Sequence, residues 1–398
     1  EVCETNKRII MNLDLDFILL NLLLLYTFWK AGRNISQSMD YWHNAGLCVI
    51  LFSIVQGCRF ARGNDYFAYS RIFREGSLHV ENPFFSVINE LLRIVGINEY
   101  SCFMVYAFTF ALCAMIFMKD YRTYARYMFP LFLIGFMNFE ESMIRQAFSY
   151  SFFFLYLKYL FKLKFNKPKD ILHNHKKLIY CIIFAILTLA IHTGNIISLF
   201  VITTLYIFWR KPFQPQFAIP IYVACVYILP HIFNFNWLEP ILSFAADTNE
   251  RAAEYVKNAD YWFSEKGEND QYDKNFIVEI IQVIGSSALM YFGYRLIIEK
   301  LPKHYALITM LNTFIIGLCI ESIFVKLEIL HRIGQTLDIV GYFALAIVVS
   351  YKTIKLKPIQ KVAYVCLLWF VYYYVKYLFF SGRTMFIWDT HYPFFKFI

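Results

Sequence analysis

Long apolar runs joined by short charged connections divide this chain, and that alternation constrains its fold more than any other feature. A helix needs about 20 apolar residues to cross a hydrocarbon core, and shorter runs serve where it is tilted or packed among neighbours. About twelve segments qualify, at roughly 15–30, 43–58, 100–118, 126–140, 143–163, 177–192, 194–209, 217–235, 276–298, 305–326, 330–351 and 360–380. The expectation is an all-α polytopic integral membrane protein with about 11–13 transmembrane helices and amphipathic extracytoplasmic helices. Composition agrees: 59% of the 398 residues are hydrophobic and only 17% charged, more apolar and less charged than a soluble domain. Aromatic residues, 20% of the chain, suit helices that meet lipid and interface. Cys48, Cys113, Cys181, Cys225, Cys319 and Cys366 lie inside apolar runs without metal-ligand spacing and read as small core residues. Cys58 and Cys102 both fall near the outer interface, and their pairing is open.

Lysine and arginine in short loops mark the cytoplasmic side. "KDYRTYAR" (119–126), "KYLFKLKFNKPKDILHNHKK" (158–177), "WRKPF" (209–213), "EKLPKH" (299–304) and "YKTIKLKPIQK" (351–361) are basic, whereas the alternate connections are neutral or acidic. The net charge of +9 is thus a topology signal, and a nucleic-acid surface is an unnecessary reading. The first apolar segment, with no small-residue cleavage site after it, reads as an uncleaved anchor whose flanking charges nearly balance. Residues 1–398 are expected to form one membrane domain, with an outer loop carrying an amphipathic helix at 59–99 and an outer acidic loop at 236–275.

Four polar clusters share the outer side in this topology. The first, in "RFARGNDYFAY" (59–69), holds Arg59, Arg62, Asp65, Tyr66 and Tyr69. Helical spacing after Gly63 puts Asp65 and Tyr69 on one face with Phe73. "NPFFSVINELLRIVG" (82–96) then places Phe85, Ile88, Leu91, Leu92 and Val95 along a helix lying on the outer leaflet. The second cluster holds Glu141, Arg145 and Gln146 at the head of the fifth span. The third, "AIHTGN" (190–195), breaks an apolar run with His192 and Gly194, and the fourth, "EILHRIGQ" (328–335), carries His331 and Arg332. Ionisable groups at membrane depth cost a few kcal/mol, so they are usually paired, interfacial or lining a cavity. Simpler readings stand beside the functional one: Glu141 and Arg145 as an i,i+4 ion pair, His192 as a capping group, Arg332 as a snorkelling side chain.

Several outer arginines favour a phosphate or diphosphate held at the membrane surface, because the guanidinium fork matches phosphate oxygens and never loses its charge. Sugar transfer from a lipid diphosphate needs the leaving group stabilised and a base for the acceptor hydroxyl. Arginines suit the first task, and Asp65, His192 or Glu141 the second.

These residues resemble the EpsG family of Wzy-like bacterial exopolysaccharide and O-antigen polymerases, through "RGNDYFAY", "NPFF", "MIRQAFS", "IHTGNI", "HRIG" and the tail "HYPFFKF" in that order. Where the family often has serine near the histidine, this chain has "HTGN". The resemblance implies a GT-C-like inner-membrane glycosyltransferase that joins undecaprenyl-pyrophosphate-linked repeat units at the periplasmic or outward face. Carried over by position, Arg59, Arg62, Arg145 and Arg332 bind diphosphate. Asp65 is the first choice for the base and His192 the second, while Tyr66, Tyr69 and Gln146 position sugar or phosphate. One-step displacement would invert the anomeric centre. No cofactor is expected and no metal is required, since arginines can neutralise the leaving group and "DLD" (14–16) lacks supporting ligands. Expected partners are the lipid-linked oligosaccharide donor and acceptor, membrane lipid, a chain-length regulator and a flippase, with no nucleic acid.

Two other functions fit a polytopic chain. A flippase or transporter of lipid-linked oligosaccharide would need a polar path across the whole bilayer, whereas the conspicuous charges here gather on one side. A membrane O-acyltransferase could use His192 but shows no evident partners for it.

Overall fold

A computed structural model of the chain describes residues 15–63, 65–76, 83–165, 168–232, 276–325, 328–351, 357–380 and 385–390. The acidic connection expected at 236–275 and the tail "HYPFFKF" lie outside the described residues. The protein is an all-α membrane protein, and among the described residues seven helices are long and apolar enough to span a bilayer. Within the described residues, each of the twelve apolar segments falls on helical structure, some of it in shorter pieces. By packing, the chain divides into two compact units, residues 1–203 with 345–354 and 370–398, and residues 204–344 with 355–369.

The first unit contains α1 (Leu15–Ser36), α2 (Tyr41–Gly57), α3 (Tyr66–Glu75), α4 (Pro83–Ile94), α5 (Cys102–Met118), α6 (Ala125–Ser142), α7 (Ile144–Leu160), α8 (His175–Ile191) and the start of α9 (Ile196–Phe208). Between α5 and α6 a 3-10 turn, Lys119–Tyr124, kinks at Tyr121 (φ −114, ψ 25). Phe28 from α1, Phe52 from α2, Phe110 from α5, Phe132 and Phe136 from α6 and Phe154 from α7 are all fully buried. Their ring centroids stand 5.1–6.4 Å apart in tilted, stacked and edge contacts. Lipid tails are as apolar as these side chains, so burial drives association weakly there. Close packing and ring-to-ring geometry stabilise the unit instead.

The charged ends of these helices sort by position. At one end the Tyr41 hydroxyl donates to the Met115 carbonyl at 2.5 Å, and Lys119 lies over the rings of Tyr41 and Trp42. Asp120 pairs there with Lys158 at 3.0 Å and Lys162 at 2.7 Å, and the hydroxyls of Tyr124 and Tyr351 meet at 3.4 Å. At the other end Phe17 from the start of α1 meets Arg62 and Tyr377. α1 therefore begins at the Arg62 end and runs toward the basic loops, a direction its flanking charges left undecided.

The second unit holds α10 (Pro215–Tyr227), α11 (Phe276–Glu299), α12 (Tyr305–Ile323), α13 (Glu328–Asp338), the start of α14 (Gly341–Ser350) and α15 (Pro358–Val365). Asn312 of α12 accepts from the Phe213 N–H and donates to the Lys211 carbonyl, each at 2.9 Å, which fixes the entry to α10. The helix α16 (Trp369–Phe380) returns to the first unit.

In a cysteine-depleted background, cysteines at Ser38 and Thr123 should react with a membrane-impermeant maleimide from one side of sealed vesicles, and a cysteine at Ala61 from the other.

Candidate active site

The segment after α2 takes its shape from two backbone demands. The Cys58 carbonyl accepts from the Ile387 N–H at 2.8 Å, and β1 (Arg59–Phe60) pairs antiparallel with β2 (Met385–Phe386). Ala61 (φ +57) and Gly63 (φ +90) then turn the chain back across the end of α6. A Cβ on residue 63 would lie 2.2 Å from the Glu141 carbonyl oxygen. Glycine is required at 63 for its φ and for this close approach. The turn ends when the Tyr66 N–H bonds the Gly63 carbonyl and Asp65 becomes the N-cap of α3, half-buried.

The two arginines of this loop meet the two adjacent glutamates that end α6. Arg59 Nη1 donates to Glu140 Oε2 at 2.8 Å, and also to the Gln56 carbonyl and side chain at 2.7 and 2.9 Å. Arg62 Nε donates to Glu141 Oε2 at 2.8 Å, while the Tyr377 hydroxyl donates to Glu141 Oε1 at 2.5 Å. The Arg62 guanidinium lies 3.9 Å from the Phe17 ring centroid and 4.4 Å from that of Tyr377. Arg59, Glu140 and Glu141 are each 3% exposed or less, so each charge relies on its partner rather than on water. Burial pulls the Arg62 pKa down, but the Glu141 carboxylate and the Tyr377 hydroxyl outweigh it, and the value stands above that of a free arginine.

α6 stops at Met143 (φ −127, ψ 55) and α7 starts at Ile144. Glu141 and Arg145 therefore belong to different helices, and Glu141 turns to Arg62 rather than one helical turn onward. Arg145 is buried in the first turn of α7. Beside it, Gln146 Nε2 donates to Asn195 Oδ1 at 3.2 Å, Asn195 Nδ2 to Ser149 Oγ at 2.7 Å, and Ser149 Oγ to the Thr188 carbonyl at 2.7 Å. This chain of bonds ties α7 to the break between α8 and α9. His192 ends α8 with extended backbone (φ −149, ψ 104) and is half-buried. A Cβ at Gly194 would stand 2.7 Å from its ring, so the glycine makes room for the imidazole.

An aromatic cluster holds the outer helices. Tyr66 stacks on Phe103 at 4.4 Å, Tyr69 meets Phe85 edge-on, and the Tyr106 hydroxyl bonds Asn89 of α4. The buried face of α3 is Tyr66, Ser70 and Phe73. Along α4, Phe85, Ile88 and Leu92 pack inward, whereas Leu91 and Val95 point away with Val87 and Ile94.

One end of the first unit thus gathers Arg59, Arg62, Asp65, Tyr66, Tyr69, Glu141, Arg145, Gln146 and His192. Arg332 lies on α13 in the second unit. Its neighbour His331 is buried there, with Nδ1 3.0 Å from the Glu321 carbonyl and Nε2 3.0 Å from Gln335 Nε2. Sequence reasoning passed over Glu140, Ser149, Asn195, Phe17 and Tyr377. The first three stood beside residues already chosen, as buried polar groups in apolar runs. Cys58 and Cys102 are separate buried thiols.

Replacing Glu140 by leucine should leave the Arg59 charge buried and uncompensated, lowering stability by about 3–5 kcal/mol, readable as a fall in melting temperature in nanodiscs. Among the comparisons with known proteins, a family model described as the EpsG family matches residues 45–394. No curated protein and no solved structure matches the chain. That match takes in the arginine loop, both glutamates, Arg145, His192 and the strand beside Arg59, and the chain therefore belongs to the EpsG family, the family of Wzy-like exopolysaccharide polymerases.

Proposed function

We propose that this protein joins undecaprenyl-pyrophosphate-linked oligosaccharide repeat units at the extracytoplasmic face of the bacterial inner membrane. Family membership supports a polysaccharide polymerase-type function. The observation that carries the finer reading is the gathering, at the end of the first unit away from its basic loops, of three arginines, a half-buried aspartate and a half-buried histidine from three separate stretches of sequence. By the bias of lysine and arginine toward the cytoplasm, that end faces outward.

In this reaction an acceptor sugar hydroxyl attacks the anomeric carbon of the donor repeat unit. The new glycosidic C–O bond forms as the bond to the lipid diphosphate breaks, and the diphosphate departs with the electron pair. Asp65 takes the hydroxyl proton. Attack opposite the departing group inverts the anomeric centre. Positive charge for the leaving diphosphate comes from Arg59 and Arg145, since charge developing on oxygen is stabilised most strongly by preorganised donors in a water-poor site. Arg62 has another task here. With Nε on Glu141 and its plane against two rings, it holds the loop that delivers Asp65. Tyr69 and Gln146 position sugar or phosphate, and His192 is the second choice for the proton acceptor.

Purified protein in nanodiscs, given an authentic lipid-pyrophosphate repeat unit and no nucleotide sugar, should produce a size ladder on a gel. Asp65→Asn should slow ladder formation by about 10²–10⁴-fold if Asp65 is the general base. Arg145→Ala should abolish the ladder. An authentic substrate that yields no ladder from folded wild-type protein would overturn the polymerase reading.

A further inference from the structure

Arg59 uses only one of its three guanidinium nitrogens. Nη1 makes all three of its hydrogen bonds, to Glu140, the Gln56 side chain and the Gln56 carbonyl. Nε and Nη2 are buried and have no hydrogen-bond partner. These two atoms form the side-on edge of the guanidinium, the fork that grips two oxygens of one carboxylate or phosphoryl group. A buried N–H without a partner is costly, and two on one side chain call for an explanation.

A second group in the same place has the same need. The Tyr66 hydroxyl is buried without a hydrogen-bond partner, and Tyr66 as a residue is 1% exposed. Its ring stacks on Phe103, over which the Arg59 guanidinium stands at 5.9 Å. The Arg59 charge is the foremost charge acting on that hydroxyl, although burial still drives the phenol pKa upward. Every unsatisfied hydrogen here, on Nε, Nη2 and the phenol, points to a ligand that accepts and need not donate. The neighbouring loop arginine differs: its Nε is taken by Glu141 and its plane is covered by Phe17 and Tyr377.

We propose that the Nε/Nη2 edge of Arg59 and the Tyr66 hydroxyl together form a phosphoryl-binding subsite, and that Arg62 is a positioning residue that takes no part in it. The assignment rests on the diphosphate-using reading above and says which part of the loop meets the diphosphate. Phosphoryl oxygens accept all the donors at once, two on the fork and one on the phenol. The adjoining loop residues Ala61, Arg62, Gly63 and Asp65 are exposed or half-buried, so the buried edge lies close to the surface along the chain. The same chemistry could come from the diphosphate of the lipid-linked donor or from free inorganic pyrophosphate.

The test is calorimetric titration of full-length protein in nanodiscs with inorganic pyrophosphate and, separately, with farnesyl diphosphate. Arg59→Lys keeps the charge and loses the fork, and it should weaken binding about tenfold or more. Tyr66→Phe removes only an unpartnered hydroxyl, so it should leave the melting temperature unchanged or raise it while weakening binding about threefold or more. Arg62→Lys should lower the melting temperature and leave the affinity within about twofold. Equal losses for both probes assign the subsite to any phosphoryl group, and a loss confined to farnesyl diphosphate assigns it to the lipid headgroup. Unchanged affinity for both probes in folded Arg59→Lys and Tyr66→Phe would overturn the proposal, with a buried water as the partner of these donors. Binding without a polymer ladder would instead sink the polymerase reading and leave the subsite standing.

Discussion

Two adjacent carboxylates at the end of one helix decide where the arginine-glycine-aspartate loop lies. Glu140 and Glu141 end α6 and receive Arg59 and Arg62 across separations of 81 and 79 residues in sequence. Desolvating one such charge costs several kcal/mol unless its partner sits in good geometry. The four groups are therefore stable only together, and each constrains the rest. Gly63 must lie against the Glu141 carbonyl, β1 must find β2, and Tyr377 must approach from α16 to complete the shell of Glu141. Asp65 is held two residues beyond the turn by that arrangement.

The pairs also change the meaning of the arginines. Read as isolated charges near a membrane surface, they suit an anionic ligand. Neutralised by glutamates, they contribute less net field than their number suggests, and their value lies in direction. Arg59 offers an edge, whereas Arg62 offers rigidity. Buried ion pairs of this kind add little net stability over a well-packed apolar replacement, but breaking one side of a pair is severe. They specify a geometry, which suits the proposed task of the loop, to set Asp65 against a sugar hydroxyl.

Most of the helical framework was legible in the sequence because span length and loop charge are strong, one-dimensional signals. The four polar stretches were legible as candidates, since an ionisable group in an apolar chain stands out. Their partners were not. Glu140 was passed over and Glu141 read equally well as one half of an i,i+4 pair with Arg145, and only the helix break at Met143 sends Glu141 elsewhere. Tyr377 sits in an aromatic run, "FVYYYVKYLFF", where nothing distinguishes one tyrosine from the next. Phe17 is one apolar residue of a span. Asn195 and Ser149 lie within motifs already noted, yet their mutual bond depends on how α7 meets the α8–α9 break. Such pairings between helices are tertiary facts, to which periodicity is blind.

The most direct test of the loop's dependence on its ion pairs is the initial polymerisation rate of three variants: Arg62→Leu, Glu141→Leu and the two combined. Each single change strands a buried charge and should slow the reaction sharply. The double change replaces the pair with apolar groups and should recover most of the single-variant loss, because a buried pair is often replaceable without cost. A double variant as slow as the product of the two single effects would contradict the account, and would mean that Arg62 or Glu141 acts on the substrate itself.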